Sequence, residues 1–103
     1  MVVVRMELEV RSGKWNEAIA LEKANHAEGG AWHNKTRGYR IYGSNWSGKN
    51  NRLVVEHMYE SLAEWEAVRD EVFASLSDAD WERYNEVYTD NNYFSYWTLE
   101  AEG

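Results

Sequence analysis

A chain of 103 residues and 12.1 kDa, 44% hydrophobic and 28% charged, has the make-up of one folded domain, 1-103, and excludes a disordered polymer. It holds no cysteine, so disulfides, thiolate metal sites and a cysteine nucleophile are excluded, and the cytoplasmic compartment is the default expectation. The formal charge of −7 is unevenly spread: residues 29–55 carry five bases and no acid, residues 56–103 thirteen acids and two bases. This reads as two surfaces that attract each other within the fold or a dimer, and the acidic remainder argues against nucleic-acid and membrane partners.

Val2 to Val10 alternates, with Val4, Met6, Leu8 and Val10 on one face and Val3, Arg5, Glu7 and Glu9 on the other, which predicts a half-buried strand. Its three charges also make it too polar for a signal-peptide core or a membrane span. Ser12 and Gly13 break the strand, and Trp15 to about Ala27 has helical spacing, with Trp15, Ala18 and Ile19 in a stripe that Glu22 and His26 continue to a stop near Gly29-Gly30. Ala31 to Gly38 lacks periodicity and reads as a connection. Tyr39 to Trp46 is strand-like, and the turn residues of 43–51 lead into a second strand, Arg52 to Tyr59, as in a hairpin. Ser61 followed by Glu64 is a capping-box pair that starts a helix over Leu62 to Leu76, where Trp65, Val68, Val72, Phe73 and Leu76 recur at threes and fours. Ser77 with Asp78 and Asp80 predicts another helix start before Trp81, Tyr84, Val87 and Tyr88, and Tyr93 to Leu99 is an aromatic, β-prone end.

Two strand-helix-strand crossovers joined by a hairpin predict an α+β, ferredoxin-like βαββαβ fold, a four-stranded antiparallel sheet with its helices on one face. The opposite face then carries Tyr42, Trp46 and one aromatic set of the last strand, residues poorly suited to water, so a second copy of the chain is expected to cover it. The segment VVEHMYESLAEWEAV, Val54 to Val68, and the opening VVRMELEVRSGK resemble the dimeric α+β barrel superfamily, in its NIPSNAP-like or antibiotic-biosynthesis-monooxygenase-like branch. The resemblance implies two sheets packed face to face and a pocket between each sheet and its helices. Members include cofactor-independent monooxygenases, isomerases, haem-degrading enzymes and proteins with no known reaction, so function does not follow from fold.

Gly43 to Asn50 nearly spells a phosphate-binding loop, but Asn50 stands where a hydroxyl must meet magnesium and a strand follows where a helix should. Asn34-Lys35-Thr36 and Asn45-Trp46-Ser47 match the glycosylation pattern by chance. His26, His33 and His57 lack metal-ligand spacing, and no metal or cofactor is expected. Glu22 and His26, four apart, should point toward the sheet, and His57 shares its strand face with Leu53, Val55 and Tyr59, so the two histidines are expected to meet. The candidate pocket lies between the first helix and the sheet, with Trp15, Ile19, Glu22 and Tyr39 binding a small apolar or aromatic molecule. By the resemblance, His26 or His57 would be the base of a cofactor-independent oxygenase or isomerase. The plainer reading is a non-enzymatic dimer whose histidines merely bond to neighbouring protein groups. Arg5, Glu7, Glu9, Arg52 and Glu56 are expected to form cross-strand ion pairs on the dimer face.

Overall fold

The computed structural model describes residues 1–44 and 51–102, so residues 45–50 of the near phosphate loop and the acceptor pattern at Asn45 lie outside the described residues. Among those residues, strands β1 (Val2–Glu9), β2 (Tyr39–Gly43), β3 (Arg52–Tyr59) and β4 (Tyr93–Thr98) form an antiparallel sheet in the order β2-β3-β1-β4. Helices α1 (Trp15–His26), α2 (Leu62–Ser75) and α3 (Asp78–Val87) complete the expected ferredoxin-like order. The predicted elements stand within a few residues of the observed ones, the second strand ending at Gly43 where the sequence predicted it to run to Trp46, which lies outside the described residues.

Register explains which face is apolar. Val4, Met6 and Leu8 of β1 lie opposite His57, Val55 and Leu53 of β3, and these side chains share the helix-facing side with Phe94 and Tyr96 of β4. Two packed clusters form there. One joins Val10, Leu53 and Tyr88 to Ala18 and Leu21 of α1, and the other joins Val4 and Tyr59 to Trp32 and to Trp65 and Val72 of α2. The gap between them lies over the middle of the sheet, at the Met6–Val55 pair.

Local signals fix the helix ends. Ser61 Oγ accepts the Glu64 amide at 3.1 Å, but the return bond of Glu64 goes to the Glu60 amide, so the box is displaced by one residue. Ser77 and Asp80 make the full reciprocal box. After α1, a side chain on Gly30 would collide with the Ala24 carbonyl oxygen, 2.1 Å from its Cβ position. Only glycine lets the chain fold back there, and the Trp32 amide then bonds to the Asn25 carbonyl and carries its indole under the helix layer.

The outer face carries the expected ion pairs: Arg5 with Glu56 at 3.5 Å, and Arg52 with Glu7 and Glu9, each at 3.6 Å. Charge attraction within the fold also appears at the surface, where Lys35 pairs with Glu71 and Arg37 with Glu60 and Glu64. Among the described residues, no helix is long and apolar enough to cross a membrane.

Candidate functional site

The helical spacing of α1 and the alternation of β3 bring His26 and His57 into contact, Nε2 to Nε2, at 2.7 Å. The partners of the other nitrogens fix where the protons sit. His26 Nδ1 lies 2.7 Å from the Glu22 main-chain oxygen, which can only accept, so Nδ1 carries hydrogen and a neutral His26 accepts at Nε2. His57 therefore donates from Nε2 and accepts at Nδ1 from the Tyr59 hydroxyl, 3.2 Å away. One chain runs from the Tyr59 hydroxyl through both rings to a backbone carbonyl. Burial is the main force keeping both rings neutral: it pushes His57, fully buried, down to about 3, with His26 adding to the effect. His26 is lowered by burial against the opposing pull of the Glu22 carbonyl.

Beside this pair lies a cavity of about 200 Å³. Met6 and Val55 form its floor, Phe73 and Leu76 from the end of α2 one wall, and Trp81 and Tyr84 of α3 its cover. Helix α1 contributes Glu22 and His26, so the space lies mainly beneath α2 and α3 and meets α1 along one side. Of the six residues singled out in the sequence, Glu22, His26 and His57 converge on this cavity. Tyr39 stacks on the His26 ring at 4.4 Å and braces it from the edge strand, without lining the space. Trp15 packs against Gly43, and Ile19 joins the cluster built on Leu21 and Leu53; neither reaches the cavity.

Glu22 is the one acid among the described lining residues, and it is 4% exposed. The Tyr88 hydroxyl donates to its Oε1 at 2.7 Å. Burial raises the carboxyl above the usual range, while bonds from Tyr88 and Asn25 pull it the other way. Asn25 also donates to the Tyr84 hydroxyl at 2.6 Å, fixing the ring that covers the space. Burial is likewise the largest cause raising both tyrosines, with the Glu22 charge second.

Sequence reasoning missed the aromatic belt. Ring centroids follow one another from Trp32 to Phe73 (6.4 Å), Trp81 (5.5 Å), Tyr84 (6.1 Å) and Tyr88 (6.1 Å), which bonds to Glu22. The available signal was the aromatic spacing of Trp81, Tyr84 and Tyr88, which reads equally well as core. Trp32, in a stretch without periodicity, gave no directional signal. Among the described residues, no group of three or more histidines or acids is placed to hold a metal ion.

No protein-family model and no curated protein matches the chain. Solved structures do match it. An uncharacterized NIPSNAP domain protein from Burkholderia xenovorans aligns with a TM-score of 0.75 at 16% identity, covering 98% of this chain and 96% of that one. A NIPSNAP family protein from Agrobacterium tumefaciens gives 0.73 at 14%, covering 94% and 90%. A proposed antibiotic biosynthesis monooxygenase from Nitrosomonas europaea gives 0.68 at 12%, covering 98% and 100%. The fold is thus the ferredoxin-like α+β fold that the two sequence segments implied, and it is similar to the folds of NIPSNAP and antibiotic-biosynthesis-monooxygenase-like proteins. At these identities the likeness is one of fold.

Proposed function

We propose that this chain binds a small, largely apolar or aromatic molecule in the cavity beneath α2 and α3, and that it does so as a homodimer joined through the outer face of the sheet. The carrying observation is the 200 Å³ space itself, bordered by an aromatic belt and bearing, among the described residues, a single buried carboxyl. An apolar cavity of about 150 Å³ already holds a benzene-sized ring. The size therefore suits one substituted ring rather than a drug-sized ligand, which needs roughly 300 Å³ or more. The dimer is supported by aromatic side chains on the outer face, Tyr42, Tyr93 and Trp97, the last 59% exposed, beside the ion-paired centre of the sheet.

All four ring nitrogens of His26 and His57 have protein partners, which favours a binding dimer in which the histidines build the wall. A catalytic form, a cofactor-independent monooxygenase or isomerase, draws on the same proton chain and on the name borne by the Nitrosomonas protein. It would require His26 or His57 to exchange a protein partner for the substrate.

A thermal-shift screen of neutral phenols, quinols and benzylic alcohols tests the binding reading. A ligand at a hundred times its dissociation constant adds about 2.7 kcal/mol, or roughly 10 °C or more in Tm for a chain of this size. No stabilisation by any single-ring compound at millimolar concentration would contradict it.

A further inference from the structure

The belt from Trp32 to Tyr88 ends at a carboxyl that has no cationic partner among the described residues: those that line the cavity include neither lysine nor arginine. The titratable groups facing Glu22 are His26 on its own helix, His57 from β3, and Tyr84 and Tyr88 from α3 and the residue after it. The imidazoles are held neutral by burial and by their mutual bond, and neutral phenols bring no positive charge. A buried carboxylate is costly without an opposite charge, and a carboxylate has about four acceptor positions, of which Tyr88 and Asn25 use two. Aromatic faces grouped around an open acceptor attract organic cations through the negative charge of their π faces.

We propose that the ligand of this cavity is an organic ammonium compound, an aromatic or aliphatic primary amine, whose –NH3⁺ group bonds to the Glu22 carboxylate while its carbon body lies against the belt. This deepens the proposed function and rests on the cavity being a binding site. The amine supplies the counter-charge that the protein withholds, so binding favours the ionised carboxylate. Where Glu22 carries a proton before binding, that proton is released to solvent as the ammonium enters. The affinity then rises with pH through the Glu22 titration and falls again once the free amine loses its own charge.

Isothermal titration with benzylamine and its neutral counterpart benzyl alcohol, on the full chain and on Glu22→Gln, tests this. The expected result is benzylamine tighter than benzyl alcohol by about tenfold or more on the native chain, with the preference lost in Glu22→Gln while benzyl alcohol still binds. The comparison of the two compounds on the native chain gives an answer that does not depend on the variant folding. Benzyl alcohol binding as tightly as benzylamine, or a preference that survives in Glu22→Gln, would each overturn the ammonium assignment and leave the cavity reading standing. Failure of both compounds to bind would remove the cavity reading itself, and this assignment with it.

Discussion

The histidine pair makes stability depend on acid in a way that one substitution isolates. His57 is fully buried and held down to about 3, against an ordinary value of 6.5. Its folded pKa is depressed, so the unfolded chain binds the proton more readily. The stabilisation is complete above the unfolded value and is lost as pH falls from there toward the folded one. Between about pH 7 and about pH 5 the loss from His57 is roughly 2 kcal/mol, and the figure changes little as long as the folded value stays below about 4. His26 is shifted the same way. Glu22 opposes them: its raised folded pKa gives stability present at low pH and lost as pH rises through that value. The comparison is therefore native chain against His57→Leu, by urea melts at both pH values. At neutral pH the variant should be less stable by about 2–4 kcal/mol, because the His26 Nε2 acceptor and the Tyr59 hydroxyl lose their partner. By about pH 5 the gap should narrow by roughly 2 kcal/mol. A gap that stays constant would mean that His57 titrates normally and that the proton chain is not as assigned.

Filling the cavity should block it without unfolding the protein. Val55 lies on its floor, so Val55→Phe should abolish stabilisation by single-ring ligands in thermal-shift assays while lowering the Tm of the free protein by only a few degrees, about 1 kcal/mol. Ser77→Ala removes one arm of the α3 capping box and should cost about 1 kcal/mol in chemical denaturation, loosening the Trp81 and Tyr84 cover and weakening ligand binding along with stability. Arg52 is 4% exposed between Glu7 and Glu9 and donates to the Asn91 carbonyl at 2.7 Å; Arg52→Met should cost about 1–3 kcal/mol in urea melts, since both acids keep partial access to water. Trp97→Lys on the outer face should convert a particle of twice 12.1 kDa into one of 12.1 kDa in analytical ultracentrifugation. A native chain already sedimenting at 12.1 kDa at micromolar concentration would contradict the dimer.

What was legible in the sequence follows from local physics. The alternation of Val4, Met6, Leu8 and Val10 can bury only one face of a strand, and the Ser61–Glu64 pair can start only a helix, so element order and sheet sidedness were readable. The meeting of His26 and His57 was readable too, because each sits at a known phase of its own element. The position of the cavity was not. It depends on α3 crossing over the gap between two clusters, a packing of residues more than fifty apart in the chain, as the Asn25–Tyr84 bond illustrates. Trp15 and Ile19 share the α1 stripe with His26 but sit up to three helical turns away, so a common stripe did not mean a common pocket. Trp32 is buried through a glycine turn that no hydrophobic period announces.

The most direct test of the central claim is where a single-ring ligand sits. Isotope-filtered NMR on the protein with saturating benzyl alcohol should show contacts from the ring protons to the Met6 and Leu76 methyl groups, the side chains below and beside the cavity. Contacts confined to outer-face residues such as Val3 and Met58, or none to Met6 and Leu76 despite measurable binding, would contradict it.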